Sequence, residues 1–239
     1  MQQIGKPSSG RFGAAVLGGI IGAAVMAALL VFAAPQLVGT RIVRAGMLAD
    51  PQILVDTSEA LRDQQYAPVL AQHRAEIETP FGTSWKGSAK PDLTLVEFFD
   101  YACPYCKASN PSIERLLSED PDLRVVYREL PILGEESVEA ARLSLAASRA
   151  GRFAQFHDAL WQAGRPAPET LAAASQAAGV PEKGIDSPEI EAELKKNYQL
   201  AGALGATGTP LFVIGNRVIN SAVSYEELKK AVADARSKG

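Results

Sequence analysis

A chain of 239 residues, 47% hydrophobic and 21% charged, has the composition of a globular protein with one sizeable core. Its net charge of −3 supplies no basic surface to displace counterions from phosphate, which argues against a nucleic-acid partner. With two cysteines and two histidines in all, and His73 and His157 spaced for ligation neither to each other nor to the thiols, an intrachain zinc site of about four ligands is excluded and no metal is expected.

Residues 1–11 carry Lys6 and Arg11 and read as a cytoplasmic tail. Phe12 to Ala34 then runs for 23 positions without a charge, enough at ~1.5 Å per residue to cross a hydrocarbon core of ~30 Å. It reads as a transmembrane anchor. The rival reading is a signal peptide cleaved near the Ala-Ala before Pro35, although signal cores usually run only ~7 to 15 residues. Gly18 and Gly22 add a G-x-x-x-G spacing that would let two such helices approach closely.

Asp50-Pro51 opens a helix in the manner of an N-cap followed by proline. From residue 35 to 78 the chain is rich in Gln, Glu, Asp and Arg. Its large apolar residues are too few for a core, so it reads as a helical stalk or an oligomerisation arm. Thr79 to Asp92 carries the Gly, Pro and Ser of a boundary, and a catalytic domain is expected over 79–239.

Within that domain Leu93-Thr-Leu-Val-Glu-Phe-Phe99 reads as a buried strand and Leu123 to Leu130 as a second. A helical block follows over about 132–204, with apolar residues at three-and-four spacing. Leu211 to Asn220 reads as a hairpin turning at Gly215-Asn216, and Ser224 with Glu227 as a capping box before the last helix. Strand, helix, strand, helical block, hairpin, helix is a βαβ unit joined to a ββα unit: an α/β, thioredoxin-like fold with an inserted helical subdomain.

Both cysteines fall where the first strand hands over to a helix, as Cys103-Pro104-Tyr105-Cys106. A sulfur at a helix N-terminus faces unsatisfied N–H groups and the positive end of the macrodipole, so Cys103 is expected to ionise more readily than a free thiol. It is the expected nucleophile, and Cys106, one turn in, the resolving thiol. A structural disulfide closing so small a loop would stabilise little. His157, in Phe-His-Asp-Ala-Leu-Trp, reads as a packed residue. A chain with no other cysteine also suits an oxidising compartment, which favours a non-cytoplasmic domain.

Glu97 to Lys107, EFFDYACPYCK, closely resembles the active-site segment of the DsbA family of thioredoxin-fold oxidoreductases, and Thr207 to Gly215, TGTPLFVIG, resembles its cis-proline segment. GMLADPQILVDTSEALRDQQ, PILGEES and AVSYEELKKAV are similar to the ScsC-type branch. The resemblance implies a periplasmic disulfide oxidase or isomerase with an exposed nucleophile Cys103 and a pair tuned by Pro104 and Tyr105; the anchor over 12–34, which would hold it at the inner membrane, departs from the family's usual soluble, signal-processed form. It implies a cis-proline at Pro210 and a Thr209 backbone that pairs with an extended substrate. Glu97 would be a proton acceptor for Cys106, its alternative being an outward-facing strand residue, and Pro111 would kink the active-site helix. The redox-active disulfide Cys103–Cys106 would serve in place of a cofactor. Implied partners are cysteine-containing exported proteins, a membrane or soluble protein that recycles the pair, and, in the ScsC-like alternative, further copies joined through the N-terminal arm. A copper-handling or chaperone module without catalysis is the reading from a different class.

Overall fold

The computed structural model describes Met26 and residues 34–180 and 185–238. The expected anchor over 12–34 therefore lies, Met26 and Ala34 apart, outside the described residues. Among those residues no helix is long and apolar enough to cross a membrane.

The chain divides into two units, Met1–Glu59 and Ala60–Gly239. In the first, helix α1 spans Ala34–Ala49, and α2 (Gln52–Glu78) begins where the Asp50 carboxylate accepts from the Gln52 N–H at 3.1 Å. Ile42, Val43, Leu48 and Leu54 are exposed on these helices.

The second unit is built on a five-stranded sheet: β1 (Trp85–Gly87), β2 (Leu93–Phe99), β3 (Leu123–Glu129), β4 (Leu211–Ile214) and β5 (Arg217–Ile219), in the order β1-β3-β2-β4-β5. β2 lies at the centre, parallel to β3 and antiparallel to β4. A central strand covered on both sides needs apolar residues at both parities, which is why β2 reads as a nearly unbroken hydrophobic run. Leu95 and Phe99 point to one face with Leu123, Val125 and Tyr127 of β3, while Val96, Phe98 and Val126 point to the other.

The first face is covered by α3 (Pro104–Glu119), by α8 (Tyr225–Lys238) and by the aromatic residues of α5 (Phe153–Ala163). α5 belongs to the helical insertion, with α4 (Glu135–Arg149), α6 (Pro168–Ala178) and α7 (Pro188–Ala203). The second face is covered by Leu200 and Leu204 at the end of α7 and by Leu70 and Ile77 of α2. The segment expected as a solvated stalk through residue 78 is thus part of the core from about Tyr66 onward. Its few apolar residues suffice because the sheet supplies the rest of the layer.

The boundary stretch also contains a strand that the sequence reading missed. β1 has only three residues, and it forms because β3 offers an open edge: Trp85, Lys86 and Gly87 pair antiparallel with Val126, Val125 and Arg124. Gly87 has φ +94°, and a Cβ there would lie 2.4 Å from the Leu123 carbonyl oxygen. The hairpin and the capping box form as expected. Gly215 takes positive φ (+56°) at the first turn position, where a II′ turn needs glycine, and Ser224 and Glu227 bond reciprocally through Ser224 N–H to Glu227 Oε2 (2.8 Å) and Glu227 N–H to Ser224 Oγ (3.3 Å).

Candidate active site

β2 ends at Phe99, and the chain turns through Asp100, Tyr101 and Ala102 into α3. The turn is fixed by one side chain. Asp100 Oδ1 accepts from the Ala102 N–H at 2.7 Å, and Oδ2 accepts from Ile132 and Leu133 N–H at 2.8 and 2.9 Å, so a single buried carboxylate holds the cysteine turn and the loop after β3 together. Cys103 is the N-cap of α3 in extended conformation, with Pro104 beginning the helix where its missing N–H costs nothing. Cys106 follows one turn in and is 0% exposed.

Cys103 departs from the expectation of an exposed nucleophile. It is only 4% exposed, because the Thr209–Pro210 segment lies over it: the Sγ–H donates to the Thr209 carbonyl oxygen at 3.2 Å. The Thr209–Pro210 peptide is cis, as the resemblance implied. Tyr105, by contrast, is 65% exposed beside the pair. Pro111 lies within α3.

Beneath the cysteines lies a layer of buried polar groups. Glu97 is not the outward-facing strand residue of the alternative reading; it is buried, and neither carboxyl oxygen has a hydrogen-bond partner. Burial, and then charge on Cys103, holds its pKa well above the usual carboxylate range. Burial also pushes the Cys106 thiol well up, with the Glu97 carboxylate adding to the effect. Cys106 thus resists the anionic form all the more while Glu97 carries charge.

Sequence reasoning missed the rest of this layer. Glu129, at the end of β3, is buried and its pKa too is raised, chiefly by desolvation. Tyr101, Ser144 and His157 are buried nearby, with Tyr101 Oη 3.1 Å from Ser144 Oγ and 3.1 Å from His157 Nδ1. His157 is the packed residue expected, held in a cage of Phe99, Tyr127 and Phe153 rings. The signal available for Glu129 was its parity: it follows Leu123, Val125 and Tyr127 at intervals of two, on the core-facing side of a buried strand. Among the described residues no group of three or more His, Cys, Asp or Glu is placed to hold a metal ion.

A family model described as a DSBA-like thioredoxin domain matches residues 94–233. The thiol:disulfide interchange protein DsbA of Bordetella parapertussis is 26% identical over 77% of this chain and 87% of its own. A periplasmic thioredoxin-like protein from Salmonella enterica serovar Typhimurium is 33% identical over 69% of this chain and 95% of its own, with a TM-score of 0.64. ScsC of Proteus mirabilis, in a transitional conformation, is 27% identical over 87% of this chain and 99% of its own, with a TM-score of 0.67. The chain also matches a Na(+)/H(+) antiporter, NhaA 1 of Salinispora arenicola, at 26% identity, and there it spans only 24% of the relative's length.

Proposed function

The chain belongs to the DSBA-like thioredoxin-domain family, and from that membership we propose that it is a thiol:disulfide oxidoreductase that forms or rearranges disulfide bonds in exported proteins through Cys103 and Cys106. One observation carries the reading: Cys103 opens a helix with its sulfur 3.2 Å from the Thr209 carbonyl, beside a cis proline, while Cys106 sits one turn below it over a buried carboxyl.

The roles follow from that geometry. In the oxidising direction a substrate thiolate attacks Cys103 Sγ of the Cys103–Cys106 disulfide; the S–S bond breaks, and Cys106 leaves with the electron pair and takes the Glu97 proton. A second substrate thiol then displaces Cys103 from the mixed disulfide, leaving the substrate oxidised and the pair reduced. In the rearranging direction a reduced Cys103 attacks a wrong disulfide and is later displaced by another substrate thiol. Cys106 frees any stalled intermediate by giving its proton to Glu97 and attacking Cys103. Thr209 lends its backbone to an extended substrate segment, as an added strand would pair with a sheet edge. Pro104 and Tyr105 tune the pair, and the two sulfurs are its only redox group.

The site of action is the periplasm, with residues 12–34 as the anchor and a membrane or soluble partner recycling the pair. The periplasmic Salmonella neighbour supports the compartment, as does the absence of any thiol besides the pair, and the uncharged run over 12–34 supports the anchor. The exposed apolar residues of α1 and early α2 support a second element, self-association through the N-terminal arm.

Trapping tests the reading. The Cys106→Ala variant, expressed in cells and quenched with acid, is expected to carry substrates covalently on Cys103 that reductant releases. A Cys103→Ser variant that still promotes disulfide formation at the normal rate would overturn the assignment.

A further inference from the structure

Asp100 does more than close β2. Its own carbonyl accepts the Cys103 N–H at 3.0 Å, and its two carboxyl oxygens divide between the cysteine turn and the loop after β3, one taking the Ala102 N–H and the other those of Ile132 and Leu133. The two pieces of backbone are therefore no farther apart than one carboxylate with a hydrogen bond on each side. The loop has little freedom elsewhere. Leu130 N–H donates to the Phe99 carbonyl at 2.8 Å, the Tyr198 hydroxyl of α7 donates to the Pro131 carbonyl, and α4 begins at Glu135. Yet Ile132 and Leu133 are 46% and 43% exposed. Two large aliphatic side chains thus stand in water on a pinned backbone, beside the turn that carries the nucleophile.

We propose that Asp100 is a positioning residue for substrate selection: it holds Ile132 and Leu133 as an apolar lip on the cysteine turn, and the lip receives an apolar side chain next to the substrate cysteine. The inference rests on the exchange reading above. An extended segment that pairs with the Thr209 backbone gains main-chain bonds that are the same for any sequence, so preference has to come from groups that meet its side chains. Cys103 fixes the place of both, since its sulfur meets the Thr209 carbonyl at 3.2 Å while its turn shares Asp100 with the lip. A lip already fixed costs little ordering when the substrate arrives, and covering an aliphatic side chain removes apolar surface from water on both partners. A carboxylate suits the task because it accepts all three N–H groups without donating. An amide in its place offers one acceptor oxygen and turns its NH2 against either the cysteine turn or the lip.

The test starts from the full chain after ring closure, with Cys106 joined to Cys103. It is reduced by either of two synthetic peptides, each with two cysteines, that differ only in having Leu or Ser beside the first. In each reaction the two peptide thiols become a disulfide and the Cys103–Cys106 disulfide becomes two thiols, and the readout is the ratio of the two second-order rate constants. The wild type is expected to favour the Leu peptide by about tenfold. In Asp100→Asn the ratio is expected to fall to about two or below, because the lip is no longer held. A purely structural or redox role for Asp100 changes both rates together and leaves the ratio at its wild-type value, which overturns the inference. Ile132→Ser with Leu133→Ser removes the lip itself and is expected to abolish the preference. That variant carries the test where Asp100→Asn does not fold. A wild type that treats the two peptides alike, or a double variant that keeps the preference, overturns the inference while leaving the exchange reading intact. A wild-type chain that oxidises neither peptide overturns both.

Discussion

Glu97 is a carboxyl group in the wrong place for stability. Buried without a partner, it pays the full desolvation cost whenever it is charged. Its folded-state pKa lies well above the ordinary value of 4.5. The folded chain therefore holds this proton more tightly than the unfolded one: the stability it brings is complete below about pH 4.5 and is lost as pH rises toward the folded value. Glu97→Gln is expected to match the wild type in urea unfolding at acid pH, and to exceed it by about 1.4 kcal/mol per unit as pH climbs through that window. Ring closure by Cys106 should meanwhile slow in the same variant. A pH-independent stability difference would count against a buried, titrating acid. The cysteines stood out by their own spacing at a strand-to-helix junction, whereas Thr209, Pro210 and Glu97 were reached only through the family resemblance. Asp100 was not singled out, since its work lies in contacts with the 131–133 loop that no local pattern announces, and for Glu129 parity was the one signal on offer.

At the scale of elements, the end of α2 shows what local pattern cannot reveal. A helix leaves its last carbonyls without partners, and here the helix runs into Thr79-Pro80 with no glycine cap in reach. The missing donors come from β3. Arg128, 1% exposed, reaches across the second face of the sheet and donates Nε to the Ile77 carbonyl at 2.8 Å and Nη2 to those of Glu76 and Thr79, while Nη1 binds Glu193 at 2.9 Å and Asn197 at 2.7 Å. One planar fork thus caps α2 and ties it to α7. Arg128→Ala leaves three carbonyls and the Asn197 amide oxygen without this donor and leaves the buried Glu193 carboxylate with Lys196 alone, and is expected to cost about 3–5 kcal/mol in urea unfolding. Arg128→Lys should recover only part of this, because a single ammonium cannot span the same set of acceptors. In the sequence the residues of α2 through 78 read as a stalk or arm, and nothing singled out Arg128 among the charges of its strand. The arginine and the helix end make sense only together, since each supplies the other's missing partners.

At the scale of the whole chain, the two units differ in how they treat their apolar residues. In Ala60–Gly239 these line the two faces of one sheet. In the described part of Met1–Glu59 they stand in solvent: Ile42, Val43 and Leu48 on α1, and Ile53, Leu54 and Val55 on α2. The sequence correctly gave this stretch no core of its own, and chain order alone gave the thioredoxin plan of the rest, because βαβ and ββα units leave few ways to join. What it left open was stalk or arm. Solvated stalks are polar all round, whereas a run of exposed apolar side chains on successive helical turns is the mark of a surface covered by a partner. A second copy of the same arm presents that surface by symmetry and would bring several cysteine pairs to one substrate. The detergent-solubilised full chain is therefore expected to scatter light as an oligomer after correction for bound detergent. Leu48→Glu with Leu54→Glu should reduce it to a monomer whose ring closure at a single site is unchanged, while its rearrangement of multi-disulfide substrates falls. A wild-type chain that is monomeric at every concentration would leave the arm a spacer and the catalytic unit a solitary one.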